Sequence, residues 1–136
     1  MNNAIFKYDL PKNEPILGYL PCSPERVALE KEIKKLSSEV MDIPLIIGGK
    51  EVRTGNTSKV VMPHNHGHVL ATYHLAGEEE TKMAIEAALQ AHHYWSNVSW
   101  VERLSITVKA AELISKKYRA LMNAATMLGQ DKSVYQ

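Results

Sequence analysis

"MPHNHGHVL", residues 62–70, sets His64, His66 and His68 at alternate positions around an Asn-His-Gly centre. Whether it is a metal site or a turn decides what the flanking residues must be. Neutral imidazole is a common zinc ligand, and alternate residues of a strand share one face. His74, further along, offers a fourth nitrogen donor. Against this, Asn65 and Gly67 supply turn chemistry, so the alternation that would align the rings breaks at the bend. No acidic residue lies within the bend to orient an imidazole from behind. The stretch is therefore read as a turn joining two strands, "TSKVVMP" (57–63) and "HVLATYHLA" (68–76), and no residue is assigned as a metal ligand.

Upstream, "IPLIIGGKEVRTG" (43–55) has an apolar run, Gly48-Gly49 and a second short strand, which is a hairpin signal. Before it, "SPERVALEKEIKKLSSEVMD" (23–42) opens with Ser23 as a cap and Pro24 in a first turn where its missing N–H costs nothing. Val27, Leu29, Ile33, Leu36 and Val40 recur at helical spacing as one apolar stripe, and Pro44 limits the helix. Residues 1–22 have no clear period and read as an extended arm.

Downstream, "EEETKMAIEAALQAHHYW" (78–95) reads as a helix with Ala84, Ala88, Ala91 and Trp95 on one face. Its acidic residues lie at the positive end of the dipole. Ser99 and Glu102 have capping-box spacing. Leu104, Val108, Ala111 and Ile114 or Ser115 then form one stripe, and Leu121, Ala125 and Leu128 another, with Gly129 as the C-terminal cap. Two helices or one bent helix satisfy this pattern. The expected α/β organisation is an arm (1–22), then a helix, a small antiparallel β unit and a helical hairpin within 23–136.

Composition narrows the function classes. Of the 136 residues 45% are hydrophobic and 23% charged, and 16 basic against 15 acidic residues leave a net charge of +1. That balance gives no broad electrostatic footprint for nucleic acid or an anionic membrane. Apolar runs such as "IPLII" (43–47) are far too short to span a bilayer, so a soluble protein is expected. Cys22 is the single cysteine, which excludes an intrachain disulfide and a cysteine-based zinc site and fits a reducing compartment. "MNNAIFKYDLPKNEP" (1–15) lacks the character of a signal or transit peptide.

Other candidate residues have plainer readings. Cys22 lies ahead of a helix N-terminus, which would favour a thiolate, but no base is close in sequence. His92 and His93 are adjacent on a helix and diverge by about 100°, so they do not chelate together. Neither GxGxxG nor GxxxxGK[ST] occurs, and Gly48-Gly49 suits a hairpin turn. Lys116, Lys117 and Arg119 read as a solvated basic cap near a helix end. Trp95 and Trp100 read as corner packing between helices.

The order of these pieces carries a family resemblance. "LIIGGKEV", "PHNHGHVLAT", "AIEAALQAHHYW", "ERL", "AAELI" and "LGQDK" follow one another as in the amino-terminal part of the aldehyde dehydrogenase superfamily. "NEPILGYLPCSPER", "PHNHGH" and "GQDKSVYQ" resemble its L-glutamate gamma-semialdehyde branch. Members at large more often carry an Asn-Pro-x-x-Gly bend and end the helix with Thr-Gly-Lys.

The resemblance runs from about Asn13 to Gln136 and implies an incomplete aldehyde dehydrogenase fold. Its parts would be the amino-terminal helix, an antiparallel β-hairpin unit used in oligomer contacts, and the first helices of the NAD-binding domain. It further implies NAD-dependent oxidation of L-glutamate gamma-semialdehyde to L-glutamate, in proline breakdown in the mitochondrial matrix, by a homo-oligomer that binds neither nucleic acid nor membrane. In that chemistry a cysteine thiolate attacks the aldehyde, hydride passes to the nicotinamide, and a glutamate-activated water hydrolyses the thioester. An asparagine side chain and a backbone N–H hold the oxyanion. None of these groups maps onto this sequence, and Cys22 does not match the nucleophile motif, so no catalytic or cofactor-binding residue is assigned. The chain is expected to be an inactive amino-terminal portion. The alternatives are a short non-catalytic product that binds full-length subunits through the hairpin, and a small zinc protein using the histidines.

Overall fold

Ser23 starts the first helix as its sequence requires. Its Oγ accepts the Arg26 N–H at 3.4 Å, Pro24 takes the first position, and α1 spans Pro24–Ser38. The computed structural model describes Ile5, Lys7, Leu10 and residues 12–136; the remaining residues of the expected arm lie outside the described ones. From residue 12 to residue 20 no regular element forms, and the chain then turns sharply into α1. The Ser23 N–H reaches the Leu20 carbonyl at 3.0 Å, with Pro21 second in the turn and Cys22 third at φ 64. That is the type II pattern, with cysteine where glycine is usual.

Three short strands follow: β1 (Met41–Ile43), β2 (Leu45–Ile47) and β3 (Lys50–Val52). β2 and β3 form the expected antiparallel hairpin, Ile47 opposite Lys50, across Gly48 and Gly49 at φ 57 and 76. Two successive left-handed residues give the hairpin the twist of its strands, and glycine bears them without a Cβ penalty. No sequence signal announces β1. It is too short to show alternation, and it pairs in parallel with the last strand, Met41 opposite Ala71, so the β unit is mixed rather than purely antiparallel.

β4 (Thr57–Met62) and β5 (Asn65–His74) are antiparallel, and the larger sheet has the order β1-β5-β4. The connection between them corrects the expected bend. The turn is Pro63-His64, and Asn65 already pairs with Met62. Val61 pairs next with Val69, which leaves His66, Gly67 and His68 bulged out on β5. Gly67 is not among the glycines with positive φ, so its turn chemistry is not used. A bulge of this kind absorbs extra residues while the ladder resumes beyond it.

The helices hold more surprises. α2 (Glu78–Asn97) begins with the Gly77 N–H bonded to Glu80 Oε2 at 2.8 Å, and α3 (Trp100–Glu112) with the Glu102 N–H on Ser99 Oγ at 3.3 Å. Half of the expected capping box at Ser99 is therefore present. The Glu102 carboxylate, however, accepts from the Ser99 hydroxyl at 3.1 Å. A π-helical turn (Leu113–Lys117), closed by the Tyr118 N–H on the Leu113 carbonyl at 2.8 Å, links α3 to α4 (Arg119–Gln130). The one-residue insertion shifts the helical phase, so the two stripes read from the sequence face different ways. Gly129 lies inside α4, and Asp131 takes the left-handed closing position at φ 54.

α1 and α4 enclose the core. Leu29 and Leu36 meet Ala124 and Leu128, with Met62 and Leu70 from the sheet and Tyr19 from the arm. Val27 and Val40 of the expected stripe are exposed, Val40 because α1 ends before it. α2 and α3 contribute no buried residue: Ala84, Ala88, Ala91 and Trp95, expected to face inward, are exposed. The expected helical hairpin does not form along its length; α2 and α3 meet at a corner, and α2 leans on the first hairpin.

Two glycine substitutions, one in the hairpin that forms as expected and one in the helix that runs past its expected cap, test these assignments by denaturant melts. Around Gly49 there is open space but a left-handed backbone, so Gly49→Ala should cost about 1 kcal/mol through backbone strain alone. Gly129 also faces open space, but in a helical backbone, so Gly129→Ala should gain about 0.5 kcal/mol.

Candidate functional site

The histidines of the opening stretch part company in the structure. His64 Nδ1 lies 3.0 Å from Asp131 Oδ1, both side chains largely exposed. This carboxylate arrives from the far end of α4, which local spacing could not reveal, and as an exposed pair it contributes little to stability. His66 is exposed in the bulge, and His68 is half-buried. Among the described residues no three His, Cys, Asp or Glu side chains are grouped to hold a metal ion.

His74 goes elsewhere. It is 8% exposed, its Nε2 lies 3.2 Å from Asp42 Oδ1 on β1, and its Nδ1 accepts the Gly55 N–H at 3.2 Å. A backbone N–H can only donate, so the ring proton sits on Nε2 and points at Asp42. Arg53 Nε reaches the other Asp42 oxygen at 2.7 Å, and its terminal nitrogen reaches Glu51 Oε2 at 2.8 Å. The Arg53 hydrogen bond holds the Asp42 carboxyl below its ordinary range against an opposing desolvation, with a lesser contribution from His74. His74, the one of these four side chains singled out in the sequence, thus joins with Asp42, Arg53 and Glu51 to tie the end of β5 to β1 and to the segment leaving β3.

A second polar arrangement fastens the arm. Arg119 donates to the Pro15 carbonyl at 3.0 Å and stands 3.6 Å from Glu14, while Asn123 donates to the Tyr19 hydroxyl at 3.0 Å. The Tyr135 hydroxyl donates to the Gly18 carbonyl at 3.2 Å. The expected basic cap is therefore divided along the helix rather than gathered at its end. Lys116 pairs with Glu112 at 3.3 Å and lowers that carboxyl's pKa, Lys117 lies over the Tyr118 ring, and Arg119 clamps the arm.

Cys22 is exposed in its turn, and no hydrogen bond among the described residues joins it to a base. Gly48 faces Ala87 of α2, where an added Cβ would come within 3.5 Å of the alanine methyl. A cavity of about 380 Å³ lies at the α2–α3 corner between His93, Tyr94, Asn97, Val98 and Glu102. His92 lies outside it. Trp95 and Trp100 are both largely exposed rather than packed into a corner. No described helix is long and apolar enough to cross a membrane.

Acid should loosen the Asp42 junction. Because its folded pKa is depressed, the stabilisation is complete above the unfolded value of about 3.9 and is lost as pH falls through the lower folded value. The stability gap between the chain and Asp42→Asn should narrow over that acid range in pH-dependent melts, and a constant gap would count against the pairing. Zinc added in excess should leave the melting curve unchanged; a shift with stoichiometric uptake would reinstate the histidine site.

Comparison with known proteins places this geometry. The family model described as aldehyde dehydrogenase family matches residues 51–133. Over 134 residues the chain is 44% identical to the delta-1-pyrroline-5-carboxylate dehydrogenase of Agaricus bisporus, covering 98% of this chain and 24% of that protein. Over 124 residues it is 41% identical to the mitochondrial delta-1-pyrroline-5-carboxylate dehydrogenase of Homo sapiens, covering 91% of this chain and 22% of that one. The crystal structure of the Mycobacterium tuberculosis delta-pyrroline-5-carboxylate dehydrogenase bound with NAD and cobalamin matches 99% of this chain and 26% of its own. That match has a TM-score of 0.94 at 38% identity. The chain thus spans about a quarter of the length of the relatives it matches, and its mixed α/β arrangement is a part of their fold. On the match across residues 51–133, most of its length, this chain belongs to the aldehyde dehydrogenase family.

Proposed function

We propose that the chain is the amino-terminal part of an enzyme that oxidises L-glutamate gamma-semialdehyde, in equilibrium with 1-pyrroline-5-carboxylate, to L-glutamate with NAD. The names of its relatives support the substrate, and the NAD bound in the Mycobacterium tuberculosis structures supports the cofactor. The relatives of Homo sapiens and Dictyostelium discoideum named as mitochondrial support placement in the mitochondrion, and the enzyme name they share supports a role in proline breakdown.

The observation that carries the reading is the surface left open. The chain exposes 10911 Å², against about 7,100 Å² for a compact monomer of its 15.2 kDa mass. Ile85, Leu89, Trp95, Ile106 and Val108 on α2 and α3 are all more than 40% exposed. Apolar faces of that extent are normally covered by protein. A longer polypeptide of the kind seen in the relatives would supply the cover and the catalytic groups.

The residues present do not fit NAD by themselves. A dinucleotide needs backbone N–H groups cradling its pyrophosphate, usually at a glycine-rich turn before a helix. Gly48 and Gly49 instead close a hairpin, with Gly48 facing Ala87. Gly77, at the start of α2, has its N–H occupied by Glu80. The proposed division of labour gives this chain scaffold and docking surface and leaves the reaction to residues beyond it. The exposed faces also favour the second reading, a short product that docks on full-length subunits.

The 136-residue chain should form no NADH from glutamate gamma-semialdehyde, and light scattering should show it self-associated. Turnover by this chain, or a monodisperse monomer with a sharp melt, would overturn the proposal. An antibody against residues 23–42 should detect a cellular protein far heavier than 15.2 kDa; a band at that mass would favour the docking product.

A further inference from the structure

We propose that His74 is a proton-sensitive latch between the first hairpin and the three-stranded sheet, closed by the Nε2–H tautomer and loosened when the ring takes a second proton.

The two ring nitrogens point at opposite kinds of partner. Nδ1 faces a backbone donor, the Gly55 N–H at 3.2 Å, and Nε2 faces an acceptor, Asp42 Oδ1 at 3.2 Å. A second proton must go to Nδ1, where two N–H groups would then oppose each other and the Gly55 bond would be lost. The resulting imidazolium would keep its Nε2–H on Asp42 Oδ1 while Arg53 holds the other oxygen at 2.7 Å, so the loss falls on the Gly55 side. Gly55 lies within residues 53–56, the segment joining β3 to β4. Gly55 has φ 78, and Thr54 Oγ1, which accepts the Asn56 N–H at 3.2 Å, braces the other side of the corner.

The surroundings limit what else can respond. Asp42 comes from β1, and Arg53, with Glu51 behind it, from β3 and the residue after it. Opposite His74 on β4 is Thr57, and the nearest charge on that strand is Lys59, opposite Thr72. Thr54 Oγ on the Leu75 carbonyl at 3.0 Å and the Leu75 N–H on the Asn56 carbonyl at 2.8 Å carry no titrating group. They would keep the strand ends together, so the response is local loosening rather than unfolding. It reaches the hairpin that α2 leans on through Ala87 and Gly48.

Residue-resolved hydrogen–deuterium exchange on the 136-residue chain tests this in whatever assembly it adopts. With rates corrected for intrinsic pH dependence, Gly55 protection should fall roughly fivefold between about pH 8 and pH 5, as expected for one lost hydrogen bond. The Ala71 amide in the central strand should not change. His74→Asn places an amide oxygen near the Nδ1 position and should leave Gly55 protected and insensitive to pH. The proposal is overturned if Gly55 is unprotected at neutral pH, if its protection is flat in the wild-type chain, or if Ala71 falls with it. It is equally overturned if His74→Asn keeps the wild-type pH profile.

Discussion

The packing of α1 on α4 is the constraint on which the other contacts depend. Ala124 is 0% exposed and lets the two helices approach closely enough for Leu29 and Leu36 to meet Leu128. These residues lie near opposite ends of the sequence, so closing this contact carries the largest loop-closure cost in the molecule. Once it is made, Arg119, Asn123 and Tyr135 lie where the segment from Glu14 to Tyr19 runs past, and they hold it by charge and hydrogen bonds. The sheet completes the enclosure with Met62 and Leu70, and its regularity ends where the bulge begins.

Local chemistry was readable in the residues; distant pairing was not. Ser23-Pro24 and Gly48-Gly49 depend on atoms within a few positions and form as the sequence suggests, and of the Ser99 capping box the Ser99 half forms. β1 has three residues and a partner thirty positions away, so neither length nor alternation announces it. The π turn was hidden for a related reason. It displaces the phase of a helix by one residue, and both halves remain amphipathic when read alone. Gly129 misled because glycine commonly ends helices, whereas here Asp131 adopts the left-handed angle that glycine would have taken.

The inward face read for α2 is a different kind of mismatch. Its apolar residues recur at helical spacing, and the helix forms over the full predicted stretch, yet among the described residues they stay exposed. Periodicity reports that a face is suited to burial, not which surface buries it. The family resemblance supplied what the pattern lacked, because it marked the chain as matching only part of a larger fold.

The histidines show the same division at the scale of a site. Three rings at alternate positions suggested cooperation, but alternation aligns side chains only while the ladder is regular, and the bulge at 66–68 breaks it. His64 finds its acidic neighbour across the chain at Asp131, and His74, the least conspicuous of the four in sequence, is the one drawn inside. Burial of an imidazole is tolerated when both nitrogens are satisfied, and here Gly55 and Asp42 satisfy them from two different elements. A polar side chain so placed links those elements through directional bonds, whereas apolar contacts would tolerate sliding. The junction between hairpin and sheet therefore has a defined geometry without a hydrophobic core of its own, and the same bonds make it answer to protonation.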